Sequence, residues 1–428
     1  MPTSTWQQRH DTPSPALDGK LLARARLMSI TSALLIATLT LTATQRTLPT
    51  LVLDPGAIAR TETVVNFPLP PRINGESLQL RAVDGDAVTP LQITKDRRAW
   101  FIARGMQAGT ATRYRIEPSL DRTETTPVAE ALADNDGIDL RLWEQSVLRY
   151  RTDKHALPNS DIKPIFKRAG YIHPIRTPTG RIVTDDYPPN HLHHHGLWSA
   201  WTRTEFQGRK PDFWNMGSGT GTVEFEAVLD TWSGRTQAGF RARHRYVDLS
   251  APTPTTVLTD VWEVTLYATG QSKTPHRMFD LTSTQELVAS SPLALPEYLY
   301  GGLGFRGPRT WDGAANTIFL TSEGKNRSNG HSTRARWCYI GGTVNSAQAG
   351  IVILGHPENF RAPQPMRIHP TEPFFNWAPS QLGRFEITSA HPYTSHYRII
   401  VIDGPPDVPA IERLWQDYAD PVKANVTS

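Results

Sequence analysis

Apolar and polar residues alternate in short runs along most of the chain, and Gly, Pro, Asn or Asp closes a run every ten residues or so. A period of two predicts strands rather than helices. Residues 222–229, 256–267 and 397–402 show it plainly, with Val223, Phe225, Val257, Val261, Ile399 and Val401 among the apolar positions. Helical spacing is convincing in one place only. Over 407–419, Ile411, Leu414, Trp415 and Tyr418 share a face, Asp407 can cap the first turn and Pro409 sits within it, which predicts one amphipathic helix packed outside the sheets.

The strand pattern divides the chain. Runs at 64–68, 78–82, 100–103 and 113–116 predict a small N-terminal β domain over 62–122, and residues 123–136, rich in Thr, Ala, Asp and Glu, read as a linker. From 137 to about 420 no comparable break occurs. Two large antiparallel sheets packed face to face would bury that many strands. The expected fold class is therefore all-β, a large antiparallel sandwich with a small β-sandwich before it.

Charge narrows the partners. The 428 residues hold 45 Lys plus Arg against 41 Asp plus Glu. Four of those bases (Arg9, Lys20, Arg24, Arg26) and two of the acids (Asp11, Asp18) fall within residues 1–43, so the remainder is balanced at 41 to 39. Tracking a phosphate backbone needs clustered bases, so nucleic acid is set aside. Lys20, Arg24 and Arg26 precede an apolar run from Ile30 to Ala43, the order of a secretory signal peptide. About 14 residues interrupted by threonines fall short of the ~20 that span a bilayer. The expected protein is exported, periplasmic or extracellular, with residues 1–43 as signal and no membrane span in the mature chain. Cys338 is the sole cysteine, so no disulfide forms within the chain, and a lone thiol in a strand-like stretch is most often a buried small side chain.

Four of the 14 histidines stand at 191, 193, 194 and 195, in Asn190-His191-Leu192-His193-His194-His195-Gly196, after Asp185-Asp186-Tyr187-Pro188-Pro189 and before Leu197-Trp198. In an extended segment His191, His193 and His195 would project to one side. That face could ligate zinc or copper as one divalent metal. It could equally perform metal-free acid–base chemistry, because imidazole titrates near neutrality and a carboxylate such as Asp186 can orient it. The spacing leaves both open, and it also permits histidines that only bond backbone carbonyls in a tight turn. Upstream, Thr177-Pro178-Thr179-Gly180 predicts a hairpin returning His173 and Arg176 toward Asp185 and Asp186. Trp198 offers an aromatic face of the kind that stacks a sugar ring, beside polar groups that could hold its hydroxyls. Two further stretches join the candidates. Tyr300 and Arg306 flank Gly301, Gly302 and Gly304, while His356 and Arg361 lie in a Pro-rich loop ahead of His369 and Glu372.

The order Tyr171-Ile172-His173-Pro174, Thr184-Asp185-Asp186, Pro188-Pro189, His191 to Gly196, Tyr300-Gly301-Gly302, Arg306, His356-Pro357, Asn359 and Arg361 resembles a bacterial family of exported proteins of unknown function, widely labelled "methane oxygenase PmoA". The resemblance covers about Gly137 to Asp420. The activity in that label does not come with it, because a particulate monooxygenase subunit crosses the membrane several times and no stretch after residue 43 could do so. What the resemblance implies is a supersandwich of the galactose-mutarotase type in bacteria that degrade carbohydrates. Asn190-His191-Leu192-His193 is similar to the Asn-His-Leu-His-Gly segment of mutarotases, and Glu372 is a weak counterpart of their glutamate base. The resulting expectation is an exported hydrolase, lyase or epimerase acting on a carbohydrate through His173, Asp186 and His191–His195. Arg176, Asn190, Trp198, Tyr300, Arg306, His356 and Arg361 would hold the substrate. Metal-dependent catalysis and a non-catalytic carbohydrate-binding module are the alternatives.

Overall fold

The computed structural model describes residues 48–71, 73, 77–119, 126–154, 157–270 and 275–427. The signal-like segment at 1–43 lies outside them. Two eight-stranded antiparallel sheets form the body. In the first the spatial order is Met366–Ile368, Phe374–Trp377, Gly302–Arg306, Leu197–Ala200, Tyr171–Ile175, Gln145–Arg151, Gly137–Leu142 and Ala129–Ala133. In the second it is Gly221–Trp232, Gln237–Asp248, Thr255–Tyr267, His276–Leu287, Tyr393–Asp403, Ala347–Gly355, Trp337–Val344 and Thr317–Thr321. Ile138, Leu140, Leu197 and Phe305 of the first sheet and Phe240, Trp262, Leu281 and Ile351 of the second share one buried core, as face-to-face sheets require.

Alternation assigns the faces. Along Trp337–Val344, Cys338 and Ile340 enter the core between the sheets while Trp337 and Tyr339 turn outward. There they meet Ile411 and, at the margin, Leu414, Trp415 and Tyr418, the apolar stripe of the helix Val408–Ala419. Asp407 caps that helix by accepting the Ala410 N–H at 3.0 Å. Burial pushes the Cys338 thiol up, which suits a packing residue. Among the described residues no helix is long and apolar enough to cross a membrane.

The N-terminal β part differs from its expected bounds. It begins at Thr50–Asp54, twelve residues before 62, and closes with a C-terminal strand, Lys423–Thr427, paired from Thr50↔Thr427 to Asp54↔Lys423. Leu51, Leu53, Phe67, Leu80, Phe101 and Ile116 fill its core. Pairing between strands so far apart in sequence has no local signature. Nor is the described part of the expected linker at 123–136, residues 126–136, a plain linker. Ala129–Ala133 pairs with Gly137–Leu142 as the edge of the first sheet, with Ala129 in the main core. Two of the acidic residues that suggest a linker, Asp134 and Asp136, belong to the hairpin turn, where the Asp134 carboxylate accepts the N–H groups of Asp136 and Gly137 at 2.9 and 3.0 Å.

Candidate active site

The histidine segment enters the strand Leu197–Ala200 near the middle of the first sheet. Gly196 is required there, since a Cβ would sit 2.2 Å from the carbonyl oxygen of Ile172 on the neighbouring strand. Before it the backbone is not extended. The His191 N–H donates to the Pro188 carbonyl and the His194 N–H to the His191 carbonyl, both at 2.9 Å. Two successive turns thus replace the strand on which His191, His193 and His195 would have shared a face. Instead His191 and His194 stack, with ring centroids 4.7 Å apart and planes 13° from parallel. His193 meets both edge-on, at 5.7 and 4.7 Å.

Strand pairing brings distant residues to this turn. Gly302–Arg306 lies beside Phe374–Trp377, and just before the latter stands Glu372. Its Oε2 is 3.1 Å from His191 Nδ1, close enough for an ion pair though not aligned as a hydrogen bond. Its Oε1 accepts from Asn190 Nδ2 at 2.9 Å. The fully buried Arg306 guanidinium donates to Glu372 Oε2 at 2.6 Å, to Asp312 Oδ1 at 2.7 Å and to Asn190 Oδ1 at 3.2 Å. Burial pushes the Glu372 carboxyl up, but His191 and Arg306 outweigh it and hold the group at about 2. His369 closes this side, its ring 6.1 Å from that of His191. Because His369 Nδ1 accepts the Glu372 N–H at 3.1 Å, the neutral ring carries its proton on Nε2.

Burial keeps His193, His194 and His369 neutral. It drives His194 far below the usual histidine range, His193 to about 3 and His369 to about 4. His195 and Asp186 form a second pair, Nδ1 to Oδ1 at 2.7 Å, with Tyr171 OH donating to Asp186 Oδ2 at 2.9 Å. Tyr171 stacks on the wholly buried His195 at 4.5 Å and Tyr187 meets it edge-on at 4.7 Å. His173 Nδ1 lies 2.9 Å from Thr184 Oγ1 across the hairpin, and burial lowers its pKa to about 4. The polar residues therefore fall into layers. Asn190, His191, His193 and His369 face solvent at least in part, while His194, His195 and Arg306 lie beneath them.

Several expected members stand elsewhere. Among the described residues Arg176 reaches only the Gly180 carbonyl of its own hairpin, at 3.5 Å. Trp198 exposes none of its surface and packs on His194, Trp214 and Phe374, so no sugar can stack on it. Tyr300 lies beyond Phe374, against Trp214 and near Asn215. His356 packs on Tyr418 and His396. Arg361 donates to the carbonyls of Pro379 and Gly383 at 2.8 and 2.7 Å. Asp312 enters the site unannounced by any fixed spacing, whereas His369 comes from the C-terminal candidate stretch.

His191, His194 and Glu372 each offer a donor atom, all within 4.8 Å of one another. An ion bound by two imidazoles must lie in the plane of both rings, along their nitrogen lone pairs. Stacked planes 13° from parallel share no such point at bonding distance. The rings as placed fit a shared metal poorly.

The sequence model of a family described as "Family of unknown function (DUF6807)" matches residues 137–416. The chain belongs to that family. The match spans the sandwich apart from its edge strand Ala129–Ala133, and it takes in the whole His191–Glu372 centre; nothing in it carries the oxygenase label. No curated protein matches the DUF6807 chain significantly. A solved structure described as a protein in the glycosyl hydrolase family 38 from Enterococcus faecalis is similar at 8% identity and a TM-score of 0.41, over 89% of this chain and 47% of that one. The DUF6807 chain spans about half the length of that protein.

Proposed function

We propose that this is an exported carbohydrate-active enzyme that moves protons at the His191–Glu372 centre without a metal. The carrying observation is the 3.1 Å contact between a partly exposed imidazole and a buried carboxylate fixed by Arg306. With Nδ1 buried against Glu372, the exposed part of the His191 ring, at 32% side-chain exposure, is what a substrate meets. His191 is the proton donor to a ring or glycosidic oxygen, because it is the histidine of the turn that meets both the fixed carboxylate and solvent. His193, neutral and edge-on to it, is the acceptor. His369 Nε2–H and Asn190 are the groups that hold hydroxyls. The buried Asp186–His195 pair supports the turn from below rather than touching sugar, which moves catalysis away from Asp186. Export rests on the basic and apolar order of residues 20–43.

The test is anomerisation of a panel of aldoses, followed by NMR, together with product analysis on oligosaccharides. His191→Gln should lower the rate by about 10²–10⁴-fold while leaving the thermal midpoint close to that of the parent protein. A stoichiometric metal in untagged protein, with activity lost on chelation and restored by that metal, would replace this reading with metal catalysis. Unchanged turnover in His191→Gln would end it.

A further inference from the structure

A second site lies at the open side of the sandwich. Met366–Ile368 and Thr317–Thr321 are the outer strands of the two eight-stranded sheets. A cavity of about 740 Å³ is lined by both strands and by residues 326–331. Its floor is apolar, with Phe319 and Ile368 buried. Its charged wall has one sign. Arg327, Arg367 and His331 line it, and no carboxylate does. The Arg327 guanidinium lies 4.7 Å from the Phe319 ring centre. One of its nitrogens donates to the carbonyls of His369 and Glu372, and its other two have no hydrogen-bond partner. Arg367 approaches His331 Nε2 only at 3.5 Å, leaving the rest of its fork for a ligand. Burial lowers the pKa of both arginines, which marks partly desolvated cations without full compensation.

We propose that this cavity binds an oxyanion, the carboxylate or sulfate ester of a small molecule whose apolar face rests on Phe319 and Ile368. Two guanidiniums without a carboxylate between them form a field that an anion relieves, and the planar fork of Arg367 suits paired oxygens. Asn326 and Ser328 at the rim supply further polar groups. The ligand would sit one loop away from the histidine centre. Arg327 holds the backbone at both His369 and Glu372, so occupancy of the cavity bears on residues of that centre. The inference stands on the cavity's own charge and does not depend on the carbohydrate reading.

Calorimetric titration of the full chain with sodium sulfate and with sodium glucuronate, at constant ionic strength in chloride, tests it. One saturable site is expected, with the tighter of the two anions naming the source. Arg367→Gln should weaken binding about tenfold or more, and His191→Gln should leave it unchanged. Arg327→Gln removes a loop tether, so its fold is checked by circular dichroism, and it should weaken binding likewise. Absence of saturable binding by either anion overturns the proposal, as does binding unaffected in both arginine variants. Binding lost in His191→Gln also overturns it, because the anion would then occupy the histidine centre.

Discussion

Arg306→Met tests what holds the centre together. The substitution keeps an unbranched stem and removes a guanidinium that is 0% exposed and makes three hydrogen bonds, to Glu372, Asp312 and Asn190. Breaking a buried pair by removing one partner costs about 3–5 kcal/mol. Here the stranded carboxylates are not sealed, since the Asp312 side chain is 36% exposed, so a cost at or just below that range, about 2–3 kcal/mol, is expected. Protonation gives an independent figure. Lowering Glu372 from 4.5 to about 2 corresponds to about 3 kcal/mol, an upper bound for Arg306 because His191 shares in the shift and solvent screens it. A depressed carboxyl contributes stability that is complete above its unfolded value and lost as pH falls through its folded one. The parent's advantage should therefore be full at pH 7 and shrink below about pH 4.5. Asp312, already raised by burial, protonates more readily without Arg306 and narrows the gap further. Urea midpoints read by tryptophan fluorescence at pH 7 and pH 3.5 measure both. Equal midpoints at pH 7, or a gap undiminished at pH 3.5, would refute the reasoning.

Asp260 gives the opposite sign. It is fully buried between the sheets, and burial pushes its carboxyl up to about 6 even though Ser283, Trp262 and Gln285 donate to it. A raised acid costs stability as pH climbs from its unfolded to its folded value. Asp260→Asn should therefore be more stable than the parent by up to about 3 kcal/mol at pH 8, with no advantage near pH 4. Chemical denaturation at the two pH values decides, and a variant weakened at pH 8 would contradict the assignment. Trp198→Ala should cost about 3–5 kcal/mol of stability, since the ring fills space among His194, Trp214 and Phe374. An unchanged denaturation midpoint would show that the ring is not a core residue.

The fold was legible wherever one face of a strand meets the core. Trp337 to Ile340 alternate between two cores, and such alternation is visible in the residues themselves. The hairpin at 177–180 was legible for a different reason. Pro178 and Gly180 set its turn, and Thr177 and Arg181 close it with a backbone hydrogen bond of 2.9 Å. What escaped were partnerships set by tertiary closure. The strand Lys423–Thr427 needs Thr50–Asp54, from the other end of the chain, as its template. Trp198 has the composition of a sugar platform, but its burial is decided by Trp214 and Phe374, which no local pattern ties to it.

The histidine segment shows where local geometry misled. Alternate histidines share a face only on extended backbone, and Pro188-Pro189 favours extension at just one point, after which the chain turns twice. A turn with a three-residue repeat sets His191 over His194, whereas a strand would have set it beside His193 and His195. The carbonyl of Pro188 and that of His191 thus select which imidazoles meet. His195 is sent down to Asp186, and His191 is left with its buried Nδ1 toward Glu372, 181 positions along the chain. A carboxylate reached only through folding, held by a fully buried arginine, singles out one histidine of four by contact. The density of histidine marked the region, and the turn together with the Arg306–Glu372 pair selects the residue within it.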